Sequence, residues 1–302
     1  MRLKRTTLIS VGMLLCAFNA FANNTNATTD HTAVGRVAIV IDDLGYHHYD
    51  MQAVELPGHI TASILPHTPY AEKIAKHAQQ LNKDVMLHIP MEAMSGKALG
   101  PGALTAAMKK DEVILSLMRA KQEIPFAVGV NNHMGSRLTA MQQPMQWTME
   151  FLRKHNMFFL DSKTVAHSKA ETVAKQNGVH ALHRHVFLDN IQTEQEMLKE
   201  FKRMIRIAQR YKSAVAIAHP YPETFTFLRK YLPELKSKYN VDLVPISELL
   251  PQPNNILLAR AENGSTKNNR PDNHSATKAP KPSTIEATKV SRPVVKSGLA
   301  TE

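Results

Sequence analysis

Two carboxylates stand side by side at Asp42-Asp43, directly after the apolar run Val37–Ile41. Adjacent carboxylates at the end of a buried strand repel each other unless a cation or a shared proton offsets the repulsion. Five further apolar runs end in polar chemistry. Val85–Leu87 leads into His88-Ile89-Pro90-Met91-Glu92, and Ala127–Val130 into Asn131-Asn132-His133-Met134-Gly135-Ser136-Arg137. Phe158–Leu160 leads into Asp161-Ser162, and Ala214–Ala218 into His219-Pro220. Val186–Leu188, preceded by His183-Arg184-His185, leads into Asp189-Asn190. Carboxylates and imidazoles together form a hard-to-borderline donor set that suits zinc and admits other divalent ions. Each residue also has a plainer reading. A lone Asp after a strand commonly caps the next helix, which applies equally to Asp161 and Asp189. A lone His is more often packed than ligating, and His47, His48, His67, His77, His155 and His167 have no evident partner in the pattern.

These residues meet only if the runs are parallel strands whose C-terminal ends share one face. Between residues 36 and 250, short β-rich runs alternate with amphipathic stretches. The pattern predicts strands at Val37–Ile41, Ile60–Leu65, Val85–Ile89, Ala127–Val130, Phe158–Leu160, Val186–Leu188, Ala214–Ala218 and Leu243–Val244. Several are continuous apolar runs, as expected for parallel strands covered on both faces. Helices are predicted at Ala71–Lys83, Asp111–Gln122, Pro144–His155 and Glu194–Tyr211. Ser168-x-x-Glu171 and Thr193-x-x-Glu196 match capping boxes. Seven or eight strand–helix steps in 215 residues predict an α/β fold, a (β/α) barrel, incomplete or closed. A doubly wound open sheet would usually carry a Gly-rich turn after its first strand, and this sequence has none there.

The chain has 302 residues, 37 Lys and Arg against 26 Asp and Glu, and one cysteine, which excludes a disulfide framework and a Cys-based metal site. The formal charge of +11 first suggests a nucleic-acid partner, but residues 23–250 hold only +4 of it. No nucleic-acid footprint is therefore expected. Residues 1–22 read as a signal peptide: Arg2, Lys4 and Arg5, then the apolar run Leu8–Phe18, then Ala20-Phe21-Ala22 before a mature start at Asn23. Cys16 is an apolar residue of that run. The expectation is an exported protein, periplasmic or extracellular, with no transmembrane span after signal removal. Residues 23–35 read as a flexible segment. Residues 251–302 read as a disordered, solvated basic tail, poor in large apolar residues after Leu258.

The motifs in order resemble those of the divergent polysaccharide deacetylases. They are Asp42-Asp43-Leu44-Gly45, the His88-x-Pro-Met-Glu92 run, Asn131-Asn132-His133-Met134-Gly135-Ser136, Phe159-Leu160-Asp161-Ser162 and Ala218-His219-Pro220. The resemblance spans residues 36–250. It implies a glycoside hydrolase/deacetylase-type barrel, usually of seven strands, in an exported protein linked to cell-wall polysaccharide. It also implies roles: Asp42 as general base, Asp43 and His88 as metal ligands, and His219 as general acid. The family's second His of a His-x-x-x-His run is Glu92 here. Either Glu92 ligates in its place or His133 completes the set, and His133 is preferred because it preserves an Asp/His/His charge. The family's Arg-Pro-Tyr motif is missing, and Arg137 or Arg184 is the candidate substitute.

The reaction so implied is metal-dependent removal of N-acetyl groups from an amino-sugar polymer such as peptidoglycan, with Asn132 or Arg137 donating to the oxyanion. Asp161 or Asp189 would orient His219 or Arg184. The rival reading is a catalytically inactive barrel that binds glycan or a cell-envelope protein, which the altered His-x-x-x-His run favours. A two-carboxylate glycosidase pairing Asp42 with Asp161 or Asp189 leaves the strand-end histidines unused.

Overall fold

The computed structural model describes residues 35–251. The expectations for the signal peptide, the segment after it and the basic tail fall on residues outside this span, apart from its two end positions. Strands and helices alternate: β1 (Arg36–Leu44), α1 (Met51–Val54), β2 (Thr61–Ile64), α2 (Ala71–Gln80), β3 (Val85–Met91), α3 (Lys110–Glu123), β4 (Gly129–Met134), α4 (Gln142–Lys154) and β5 (Phe158–Asp161). There follow α5 (Ala170–Gln176), β6 (Ala181–His183), β7 (Val186–Phe187), α6 (Glu194–Tyr211), β8 (Ser213–Ala218), α7 (Pro222–Tyr231), α8 (Glu234–Tyr239) and β9 (Asp242–Leu243). Every pairing is parallel, in the order β6-β5-β4-β3-β2-β1-β8-β7, with β9 added beside β1. Among the described residues, no helix is long and apolar enough to cross a membrane.

The sheet is an α/β parallel half-barrel, and its path holds eight strands where seven were expected. The extra strand arises at one break. Residues 181–183 pair with β5, residues 186–187 pair with β8, and Arg184-His185 lies between. The Arg184 N–H donates to the Asp161 carbonyl at 3.0 Å, and the next N–H, of His185, donates to the Val215 carbonyl at 2.9 Å. Successive N–H groups thus reach opposite edges of the sheet, and one segment bridges them. The sequence pattern missed β6 because Ala181-Leu182-His183 is neither an apolar run nor a clear alternation.

Two apolar layers explain why the strands read as continuous hydrophobic runs. Ala38, Val40, Met86, Phe158, Leu160, Val215 and Ile217 cluster on one face of the sheet. Their strand neighbours Val37, Ile39, Ile41, Leu87 and Phe159 pack with the helices on the other. Both faces are buried, so each strand position needs an apolar side chain until the C-terminal ends are reached. Helix α6 shows how the outer layer is held. It buries Met197, Phe201, Met204, Ile205 and Ala208, one stripe at helical spacing. Thr193 caps it through the Glu196 N–H at 3.4 Å, its first turn is acidic, and its last carries Arg210. The other predicted box is one residue out of place: α5 starts at Ala170, whose N–H meets Ser168 Oγ at 3.2 Å. Asp161 and Asp189 cap neither helix, since the N-caps are Lys169 and Thr193.

Candidate metal centre

The two carboxylates reach one side of β1 by a local irregularity. Successive residues of a regular strand face opposite ways. Here Ile41 pairs with Ala62 and Leu44 with Ile64, so β1 holds one more residue than β2 across this stretch. That is a bulge, and Asp43 adopts φ 60 within it. Asp tolerates this left-handed conformation better than most residues, at a cost of about 1 kcal/mol. The turn thus falls on Asp43 itself. Gly45, at φ 127, serves a close approach instead: a Cβ there would lie 2.1 Å from Thr68 Oγ1.

Strand β3 supplies His88 and β4 supplies Asn131 directly beside it in register. His133 is two residues further along β4, on the same face as Asn131. Asp43 Oδ1 lies 2.9 Å from His88 Nε2 and 2.7 Å from His133 Nδ1. One donor atom from each of the three falls within 4.8 Å of the others, which suits a single ion. Donors sharing one tetrahedral zinc stand about 3.3 Å apart at ordinary bond lengths, so little movement separates this arrangement from a ligated one.

The hydrogen bonds behind His88 fix which nitrogen faces the centre. The Asp42 carboxylate can only accept, so the Asn131 amide turns its Nδ2 to Asp42 Oδ1 at 2.8 Å. Its Oδ1 then accepts from Ser63 Oγ at 2.6 Å and from His88 Nδ1 at 2.8 Å. His88 Nδ1 thus donates to Asn131 and Nε2 to Asp43 at 2.9 Å; an ion displacing the Nε2 proton would meet its lone pair with Nδ1–H still held, the second-sphere arrangement that orients metal-bound histidines. Asn131 and Ser63 escaped the sequence analysis, which singled out Asn132. The signal was there: alternation along β4 places Asn131, not Asn132, in phase with His133.

The electrostatics call for a cation. Burial raises the carboxyl pKa of Asp42, as does the charge of Asp43, against the lowering effect of His88 and His219. Burial also works to raise Asp43, but hydrogen bonds from His133 and His88 and their charges hold it well below the ordinary carboxylate range. Burial lowers His88, and the charge of Asp42 and the bond to Asp43 reverse this and raise it. Two adjacent carboxylates in a desolvated site thus draw positive charge toward themselves, and a divalent ion answers that demand.

His219, at the end of β8, completes the face. Asp189 Oδ1 accepts from its Nδ1 at 2.9 Å, while Asp189 Oδ2 accepts its backbone N–H at 2.6 Å and Thr224 Oγ1 at 2.8 Å. Burial lowers the imidazole pKa. The bond and charge of Asp189, with the charges of Asp42 and Asp43, outweigh it and raise the value to about 9. Of the two candidates for orienting His219, Asp189 does so.

The remaining candidates lie elsewhere. Glu92 accepts from the Ala106 N–H at 2.6 Å and pairs with Arg137 at 2.5 Å, so both are engaged with each other and neither belongs to the ligand cluster. Asn132 is spent on tying β4 to β5: it accepts the Ser162 N–H at 3.0 Å and donates to the Met134 carbonyl at 2.7 Å. Its oxygen and one of its two amide N–H groups are thereby engaged. Asp161 belongs to a group with Lys163, whose N–H it accepts at 2.8 Å, and Lys163 in turn bonds Glu171. Arg184 donates to the carbonyls of Ser162 and Lys163 at 2.7 and 3.1 Å and lies 3.6 Å over the Phe187 ring.

Comparison with known proteins agrees with this architecture. The family described as divergent polysaccharide deacetylase matches residues 39–250. The uncharacterized protein YibQ of Escherichia coli K12 is 36% identical over 228 residues, spanning 75% of this chain and 71% of that protein. An uncharacterized protein of Haemophilus influenzae Rd is 37% identical over 218 residues, spanning 72% of this chain and 77% of its own. The crystal structure of an uncharacterized protein from Agrobacterium tumefaciens C58 superposes with a TM-score of 0.68 at 27% identity, covering 71% of this chain and 89% of that one. With a match from Ile39 within β1 to Leu250, most of its length, the chain belongs to the divergent polysaccharide deacetylase family.

Proposed function

We propose that this protein is an exported, metal-dependent hydrolase that removes N-acetyl groups from an amino-sugar polysaccharide of the cell envelope. The observation that carries the reading is one carboxylate oxygen, of Asp43, set between two imidazole nitrogens at 2.9 and 2.7 Å, with Asp42 and His219 on the same face. Family membership supports a glycan as substrate. One carboxylate and two imidazoles support zinc among the divalent ions. The basic-then-apolar pattern of residues 1–22 supports a site of action outside the cytoplasm.

A bound divalent ion supplies Lewis-acid polarisation of the acetyl carbonyl and acidifies a water toward neutrality. Asp42, made more basic than an ordinary Asp by burial, takes the proton from the attacking water. Asn131 holds one of its oxygens at 2.8 Å and so aims the carboxylate. His219 binds Asp189 through Nδ1, which leaves Nε2 to give its proton to the departing amine. A pKa of about 9 keeps that proton in place at neutral pH. The test is acetate release from N-acetylglucosamine oligomers and soluble peptidoglycan fragments by zinc-loaded protein. His133→Ala and chelated protein serve as controls, and both should be inactive.

A further inference from the structure

Just past Asp43 the chain exposes four rings in succession. Tyr46, His47, His48 and Tyr49 are all exposed, between buried Gly45 and buried Asp50. The segment is held in place: the fully buried Asp50 carboxylate accepts the N–H of Gly45 at 2.9 Å and of His47 at 3.0 Å. His47 and Tyr49 stack with centroids 5.1 Å apart and planes at 9°. His48 stands edge-on to Tyr70 at 5.9 Å. A pinned row of exposed rings beside a candidate centre marks a surface that meets something.

Two features extend this row. On the inner side is Tyr221, 38% exposed, with its ring centroid 5.9 Å from that of His219. Burial raises its phenol, as do the charges of Asp189, Asp43 and Tyr49. On the outer side, a cavity of about 550 Å³ opens between the 48–55 segment and α2. His48, Tyr49 and Gln52 line one wall, and Lys73, His77 and Gln80 the other. That volume lies within the range of small-molecule sites.

The geometry points to this trough as an oligosaccharide subsite, in which sugar units flanking the processed one stack on Tyr49 and Tyr221 and set their hydroxyls against Gln52, Lys73, His77 and Gln80. The inference rests on the glycan reading of the centre. A pyranose has a C–H face that packs on an aromatic ring and a rim of hydroxyls that needs amide, ammonium and imidazole partners. An acyl chain would need an enclosed slot, whereas this trough is open to solvent and carries amide, ammonium and imidazole groups beside its apolar surface.

The test is calorimetric titration of the zinc-loaded mature chain with N-acetylglucosamine and its tetramer and hexamer. The hexamer should bind at least about tenfold more tightly than the monomer. Tyr49→Ala should weaken hexamer binding roughly fivefold to tenfold, and Lys73→Ala should weaken it as well. Tyr49→Phe should retain it, as should Tyr211→Ala, at the far end of α6. Hydrolysis of 4-nitrophenyl acetate by wild type reports on the centre separately. Ester hydrolysis with no gain from monomer to hexamer would overturn the subsite and leave the centre standing. Hexamer binding that is lost in Tyr49→Ala, without ester or acetate turnover, would uphold the subsite and overturn the catalytic reading.

Discussion

Asp189→Asn keeps the shape of the side chain and removes the charge beneath His219. In the wild type that imidazole titrates at about 9, against an ordinary 6.5. At 1.36 kcal/mol per unit, this difference corresponds to roughly 3 kcal/mol of preference for the imidazolium in the folded state. The His219 side chain is only 23% exposed and Asp189 is fully buried, so solvent screens little of it. Because the folded value lies above the unfolded one, the stabilisation is complete below about pH 6.5 and disappears as pH rises through about 9. The variant leaves a buried imidazole favoured only by Asp42 and Asp43, and its pKa should fall by roughly one to two units. Two assays check this. The His219 Cε1–H resonance can be titrated in chelated protein, and urea unfolding can be run at about pH 6 and about pH 10. Wild type should lose stability between those two points, and the variant should lose much less. The alkaline limb of acetate release should move to lower pH in the variant. A His219 that still titrates near 9 in Asp189→Asn would refute the assignment of that proton to Asp189.

Asn131→Leu removes the amide that sets the His88 tautomer, and metal affinity should fall about tenfold to a hundredfold in competition with a chromophoric chelator; unchanged affinity would contradict the orienting role. Glu92→Gln should keep the metal and lower the melting temperature, because the partners of Arg137 and of the Ala106 N–H are weakened. His133→Ala should lose the metal, and the opposite pair of outcomes would move the third ligand to Glu92. Gly45→Ala should destabilise by at least about 2 kcal/mol in chemical denaturation, since a Cβ meets Thr68 Oγ1 at 2.1 Å and the residue sits at φ 127.

Strand positions were legible because both faces of the sheet are buried, which writes each strand as an apolar run. Strand ends were not. β4 runs on through Asn131, Asn132 and His133, because cross-strand partners such as Ser63 and Ser162 satisfy polar groups that look like loop. β6 was hidden because Ala181-Leu182-His183 shows neither an apolar run nor a clear alternation, and its His183 is satisfied by Glu171 of α5 at 2.6 Å. Asp42, Asp43, His88, His133 and His219 could be named from residue type and from the family resemblance. The bulge that brings Asp43 onto the same side as Asp42 could not, as it depends on one-residue register against β2. Nor could the engagement of Glu92 with Arg137 and the Ala106 N–H, which spans the long connection after β3.

The central claim is that Asp43 ligates a catalytic ion while its neighbour Asp42 moves the proton. Metal content and acetate release, measured side by side on wild type, Asp42→Asn and Asp43→Asn, test it most directly. Asp42→Asn should retain the metal and lose turnover by about a hundredfold to ten-thousandfold. Asp43→Asn should lose metal affinity, and turnover with it. If Asp42→Asn loses the metal while Asp43→Asn keeps it, the two roles are reversed. If metal-loaded wild type releases no acetate from any N-acetylated polymer, the deacetylase account is wrong.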